Sequence, residues 1–223
     1  MKLKLIVALA LAATLASAAS DAPKRLQSAA QALKEVMGIP DKSIPQELLN
    51  KAECIVIVPD LKKAAFLVGG KYGKGFVSCR KKNGVGWSAP GAIRIEGGSF
   101  GLQIGGSEMD VFMLVMNDRG VDRLLGDKFT LGGDATVAAG PVGRVAQAET
   151  DARLTAEILT WSRARGLFAG VALNGATLRE DEDWNMDLYG KSITNREIVS
   201  GNVAAPRSAG ALLNELDRYS SRK

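Results

Sequence analysis

Between residues 54 and 116 the chain carries short apolar segments punctuated by glycine, with no helical period, and this stretch limits the fold more than any other feature. "CIVIV" (54–58) is a continuous apolar run of the kind buried on both faces of a sheet, with Pro59 as its expected stop. "AFLVGG" and "KGFVSCRKK" follow, and Asn83-Gly84 has the composition of a two-residue hairpin turn. Ile93 and Ile95 alternate with Arg94 and Glu96. Gly97-Gly98 reads as a turn, after which Phe100, Leu102 and Ile104 alternate in return. "VFMLVM" (111–116) is a second buried run. Glycines this frequent inside strands imply tight bends, bulges or closure into a barrel-like sheet.

Helical signals flank this region. In "DAPKRLQSAAQALKEVM" (21–37), Leu26, Ala29, Ala30, Leu33, Val36 and Met37 form one stripe, with Lys24, Arg25, Gln27, Gln31 and Lys34 off it. Asp21 is placed to cap this helix, Pro23 suits its first turn and Gly38 its end. Ser43 and Gln46 have capping-box spacing before Leu48 and Leu49. "RGVDRLLG" suggests a brief helix within the sheet region. Strand-like segments resume near 134–139, 155–163 and 167–174, with a turn over 163–166. Ser208 would cap a last helix in which Leu212, Leu213, Leu216 and Tyr219 share a face. Without regular strand–helix alternation the fold class is α+β: an antiparallel, glycine-rich, strongly curved or barrel-like sheet with helices mainly at the N- and C-terminal ends.

Residues 1–19 are set apart from the fold. A basic start at Lys2 and Lys4, an apolar run from Leu5 and the small residues "ASAA" have the order of a secretory signal, too short for a comfortable membrane span. The expectation is a signal peptide over 1–19 and a single domain over 20–223, exported to the periplasm or secreted. Removing Lys2 and Lys4 takes the 29 basic residues to 27 against 24 acids, so the net charge falls from +5 to +3, which is no nucleic-acid signature. Cys54 and Cys79 are either two buried thiols or a disulfide, and an oxidising destination favours the disulfide.

The chain has no histidine, which excludes Ser-His-Asp and Cys-His catalysis and removes the commonest transition-metal ligand. The glycine and lysine cluster of "YGKGFVSCRKKNGVGWSAP" is no phosphate loop. A Walker A frame from Gly70 meets Phe76 where lysine is required, and one counted back from Gly73-Lys74 begins at Val68. "DEDWNMD" (181–187) has alternating oxygen ligands, but Met186 and Ser192 stand where a calcium loop needs glycine and glutamate, so it reads as a solvated loop. No catalytic residue, cofactor or metal is assigned. Lys62, Lys63, Lys71, Lys74, Arg80, Lys81 and Lys82 crowd the first hairpins, either as solvated tips or, with Lys24, Arg25 and Lys34, as a surface for an anionic partner.

Five stretches occur in order: "GGKYGKGFVSCRKKNGVGWSAP", "GGSFGLQIGGSEMDVFML", "AAGPVGR", "WSRARGLFAGVALNG" and "NMDLYG". Together they resemble the SYLF family of lipid-binding domains, from the first helix to about Gly190. The resemblance implies lipid binding without catalysis. Eukaryotic relatives bind phosphoinositides, some also bind actin, and an N-terminal amphipathic helix is implicated in membrane contact. That helix corresponds to residues 22–37 here, with Lys24, Arg25 and Lys34 as candidate head-group contacts and Lys62, Lys63, Lys71 and Lys74 as further ones. For an exported chain the expected ligands are anionic phospholipids such as phosphatidylglycerol or cardiolipin, reached by insertion of the first helix or of loop tips. The competing expectation is a cell-envelope module that binds a protein partner.

Overall fold

The computed structural model describes residues 21–66, 68–81, 85–100, 105–143, 156–200 and 202–220. The signal-like residues 1–19, the Asn83-Gly84 turn, Lys82, Leu102 and Ile104 lie outside them.

Among the described residues nine strands form one sheet: β1 (Cys54–Phe66), β2 (Val68–Cys79), β3 (Gly91–Phe100), β4 (Gly105–Val115), β5 (Phe129–Thr130), β6 (Val137–Ala139), β7 (Ile158–Ala164), β8 (Leu167–Gly170) and β9 (Thr177–Glu180). The order is β5-β9-β3-β2-β1-β4-β7-β6, with β8 also paired to β7. Every pairing is antiparallel except β6 with β7. The α-helices among the described residues are α1 (Ala22–Met37), α2 (Gln46–Lys51), α3 (Asp118–Leu124), α4 (Glu182–Tyr189), α5 (Asn195–Val199) and α6 (Gly210–Ser220). The α+β, strongly curled sheet expected from the sequence is what the chain adopts.

Side-chain alternation along β1–β4 splits the interior into two layers. On one face Ile55, Ile57, Phe76, Ala92, Phe112 and Leu114 meet the buried stripe of α1, α2 and α6. On the other, Val56, Val58, Leu61, Val77, Ile93, Ile95, Val111 and Met113 join Phe129, Ile158 and Leu178. Strands from both flanks of the sheet share this second cluster, so the sheet curls around it. The Cys54–Cys79 disulfide is formed here, between directly opposed residues of β1 and β2.

Several local expectations are corrected. Pro59 does not stop its strand. β1 runs on through a bulge where Asp60 takes φ 50° and the register shifts between Ile57 and Lys62; a bulge is one of the few strand positions that tolerates proline. Gly97-Gly98 is no turn but lies inside β3, paired across to Lys71 and Gly70 of β2. Asp21 has helical dihedrals (φ −72°, ψ −8°) and its side chain caps nothing, because capping requires the extended backbone it has left. Pro45 holds the cap position of α2, so the Ser43–Gln46 box does not form. Ser208 sits within a short 3-10 turn (Arg207–Ala209) leading into α6.

"DEDWNMD" is a helix rather than a solvated loop. The Asp181 carboxylate accepts from the Trp184 N–H at 3.1 Å, Trp184 and Asn185 are buried, and Gly190 ends α4 in the left-handed conformation at φ 69°.

Candidate functional site

Several residues of the motifs that carry the family resemblance are spent on packing. A Cβ at Gly140 would overlap the Trp161 indole, whose N–H donates to the Pro141 carbonyl at 2.9 Å, so "AAGPVGR" and "WSRARGLFAG" lock together. Asn185 of "NMDLYG" is fully buried; it accepts from the Ala92 N–H at 2.8 Å and donates to Asn195 Oδ1 at 2.9 Å, tying α4 and α5 to β3. The Tyr189 hydroxyl donates to the Pro90 carbonyl at 2.7 Å, and burial pushes its phenol well above the usual tyrosine range.

The predicted basic residues separate into three groups. Strand alternation puts Lys62, Tyr72 and Lys74 on the helix-covered face, where Lys62 is directly opposite Tyr72. They join Asp21, Arg25, Asp60, Gly73 and Trp184 around an open cleft of about 330 Å³. Each cation here already has a carboxylate. Arg25 donates to Asp60 at 2.9 Å and to the Pro59 carbonyl at 3.0 Å, while Lys62 lies 3.8 Å from Glu108. Lys74 pairs with Asp181 at 2.7 Å and lies 4.6 Å from the centre of the Trp184 ring. The Lys74 side chain is 23% exposed and that of Asp181 only 1%, so Lys74 faces inward as a structural cation rather than outward.

The second group lies on the opposite face. Lys63 and Lys71 are direct cross-strand neighbours. Neither forms an ion pair with a described residue, since the carboxylates around the hairpin are engaged by Lys62, Lys74, Arg94 and Arg179. The stem of Lys71 crosses Gly97, where a Cβ would come within 2.8 Å of its Cε. Burial, then the neighbouring Lys63 charge, push the Lys71 ammonium below the usual lysine range. Like charges directly opposed on a sheet destabilise it, so this pair is a place where a bound anion would be favoured.

The third group, Lys24 and Lys34, is exposed on α1. Between them the apolar stripe expected to enter a membrane is core: Leu26, Ala29, Leu33 and Val36 have no exposed surface, and Met37 is half-buried. Insertion of α1 would require tearing it from the sheet, so the first helix is not the inserting element of the folded chain.

Arg80 departs furthest from a surface role. It is buried, donates to the Leu49 carbonyl at 3.0 Å, to the Ala52 carbonyl at 3.4 Å and to the carbonyl and hydroxyl of Ser220, and stacks 3.8 Å from the Trp87 ring centre. It staples the end of α6 to β2 and α2. Sequence reading missed a mixed-charge cleft of about 270 Å³ lined by Asp60, Glu108, Asp110, Arg163 and Arg165, where Arg163 donates to Asp110 at 2.6 and 2.9 Å and also pairs with Glu35. Only the odd excess of charge around the β4 and β7 ends hinted at it. Among the described residues no group of three or more His, Cys, Asp or Glu is placed to hold a metal ion, and no helix is long and apolar enough to cross a membrane.

A model of the Ysc84 family, described as "Las17-binding protein actin regulator", matches residues 96–219, more than half of the chain. The chain belongs to the Ysc84 family. The match runs from the middle of β3 to the end of α6. Among full-length relatives, SH3 domain-containing YSC84-like protein 1 of Bos taurus is 35% identical over 91% of this chain and 61% of its own length. The human protein of the same name is 36% identical over 91% of this chain and 60% of its own. Protein YSC84 of Saccharomyces cerevisiae is 36% identical over 79% of this chain and 38% of its own. This Ysc84-family chain therefore spans about three fifths or less of the relatives it matches, whose names refer to an SH3 domain or to Ysc84 rather than to a catalytic activity.

Proposed function

We propose that this is an exported, non-catalytic lipid-binding protein that attaches reversibly to anionic phospholipid surfaces. Residues 1–19 would be removed as a signal, and 20–223 would work as one domain in the periplasm or outside the cell. The observation that carries the reading is the facing Lys63–Lys71 pair, two cations without a described counter-charge on an outlying part of the sheet. Exposed Lys24 and Lys34 add weaker attraction from α1. Each basic residue near an anionic bilayer contributes about 1 kcal/mol, falling with salt, so a few of them give attachment that reverses readily.

Co-sedimentation of residues 20–223 with phosphatidylglycerol-containing and with phosphatidylcholine vesicles, at low and high salt, tests this. Binding should require the anionic lipid and weaken with salt. Equal binding to both vesicles, or to neither, would sink the reading.

A second reading is an envelope module that binds a protein. It is favoured by the family description, which names a protein ligand, and by the burial of the α1 stripe, which leaves that helix no apolar face to insert into lipid. Cross-linking that recovers one stoichiometric partner, with no response to lipid composition, would support it over the first.

A further inference from the structure

On the face of the sheet opposite the helices, the strand register sets four residues in one row. Gly97 of β3, Lys71 of β2, Lys63 of β1 and Ser107 of β4 are successive direct cross-strand partners, so they share one side of the sheet. Two residues back along their strands, Leu61 and Ile95 belong to the second core cluster and Met109 packs against it. The row therefore stands at the rim of that core. Lys63, Lys71 and Ser107 are half-buried, and none of the three side chains has a hydrogen-bond or ion-pair partner among the described residues. Directly opposed side chains have Cβ atoms about 4.5–5.5 Å apart, which lets two ammoniums and a hydroxyl converge on one small ligand. Gly97 sets the path of Lys71. A Cβ there would come within 2.8 Å of Lys71 Cε and 3.3 Å of the Gly175 carbonyl oxygen, so the space that the missing side chain leaves is where the lysine stem lies. A cation held by its stem loses less freedom when it binds.

Resting on the anionic-lipid reading above, we propose that the Lys71–Lys63–Ser107 row is a site for a phosphate monoester, its two ammoniums and one hydroxyl donating to the terminal oxygens of the dianion. A phosphodiester, such as the phosphate of phosphatidylglycerol, carries a single negative charge and leaves half of the lysine pair uncompensated. A monoester carries a charge of about −1.5 to −2 at neutral pH and offers three strong acceptor oxygens. It therefore matches the row both in charge and in number of donor groups. Opposed like charges repel across the sheet, and a dianion between them removes that repulsion, so it gains more here than at a lone lysine. The cations of the helix-covered face offer no such site, because Arg25, Lys62 and Lys74 each have a carboxylate. Phosphatidic acid presents the monoester at a bilayer surface, and glycerol 3-phosphate presents it in solution.

The test is co-sedimentation of residues 20–223 with phosphatidylcholine vesicles carrying either phosphatidic acid or phosphatidylglycerol, at mole fractions that give equal zeta potential. The phosphatidic acid vesicles should bind about fivefold more tightly, the effect of one further ammonium–phosphate contact. Lys63→Gln and Lys71→Gln should each abolish that preference, whereas Lys24→Gln, on exposed α1 surface, should weaken binding to both vesicles alike. Gly97→Ala keeps every charge but crowds the Lys71 stem, and should lose part of the preference without a lower urea midpoint. Titration calorimetry with glycerol 3-phosphate identifies the source of the phosphate. Binding of the soluble ester, lost in Lys63→Gln, by a chain that sediments with neither vesicle keeps the site and overturns the lipid reading. Equal binding to the two anionic vesicles, or a preference that survives both lysine variants, overturns the site and leaves the lipid reading standing. Failure to bind either vesicle or glycerol 3-phosphate overturns both.

Discussion

Replacing Lys74 by methionine separates a structural cation from a lipid-binding one. The substitution keeps the stem near the Trp184 ring, and removes the charge that pairs with Asp181 at 2.7 Å and sits 4.6 Å from the ring centre. Breaking a fully buried ion pair costs roughly 3–5 kcal/mol, chiefly because a carboxylate is left unpaired. Asp181 is 1% exposed, so it stays in the dry, but the 23% exposure of Lys74 admits some water, which puts the cost near the lower limit. The lost cation–π contact adds about 0.5–1 kcal/mol. Lys74→Met should therefore destabilise by about 3.5–4 kcal/mol, seen in urea unfolding as a lower midpoint at constant m-value. At this chain length that is roughly 7–16 °C in Tm. Asp181→Asn keeps the cap on the Trp184 N–H, since asparagine caps as well as aspartate. The double variant should then be less destabilised than the two single costs added, by about 1–2 kcal/mol. Anionic-vesicle partitioning of Lys74→Met should stay within about twofold, because its charge is already neutralised, against roughly fivefold for loss of a free cation. A stability cost below about 1 kcal/mol, additive single costs, or a roughly fivefold loss of partitioning would refute the assignment.

Lys63→Gln with Lys71→Gln should do the reverse. It should raise the urea midpoint slightly by removing a like-charged pair, and weaken anionic-vesicle partitioning by about 2 kcal/mol, roughly thirtyfold, measured by co-sedimentation. Cys54→Ala with Cys79→Ala opens a loop with a sequence separation of 25 and should lower stability by about 3–4 kcal/mol against the oxidised parent. Gly140→Ala forces a methyl into the Trp161 indole and should cost about 2–3 kcal/mol in urea unfolding, with Trp161 emission perturbed. Tyr189 keeps its proton in the fold beyond the pH where an unfolded tyrosine ionises. Its stabilising contribution is thus present below about pH 10 and lost as pH rises from there towards the folded value. Absorbance at 295 nm should show at least one tyrosine ionising only with unfolding, and Tyr189→Phe should flatten that stretch of the stability profile.

Local patterns were the legible part of this fold. The helical stripe of α1 is the buried face, and the continuous apolar runs of β1 and β4 are strands buried on both sides of the sheet, because burial sorts those residues wherever their elements dock. What failed depended on partners far along the chain. Pro59 reads as a stop until the bulge at Asp60 is known, and Gly97-Gly98 reads as a turn until β2 supplies its ladder. "DEDWNMD" reads as a loop by its alternating acids, although its Asp181 cap and Gly190 stop mark a helix without any tertiary knowledge. Lys74 and Arg80 looked like their neighbours Lys71 and Lys81. Only the fold brings Asp181 to one and Ser220 to the other, and so decides which cations remain to meet a ligand.

The same division bears on what family membership transmits. Gly140, Trp161, Asn185, Tyr189 and Gly190, all in the stretches that carry the resemblance, are used up in helix ends, close backbone approach and buried hydrogen bonds. Shared motifs of that kind constrain the scaffold tightly and the ligand loosely. Ligand choice then falls to residues that the scaffold leaves chemically unsatisfied. Among the basic residues singled out from the sequence, Arg25, Lys62 and Lys74 have carboxylates and Arg80 has carbonyls, whereas Lys63 and Lys71 face each other outside both described cores. An opposed like-charged pair lowers the stability of the strands that hold it, and binding an anion there returns that free energy to the complex. The Lys63–Lys71 pair is therefore the position at which a chain with this scaffold gains most from a bound anion.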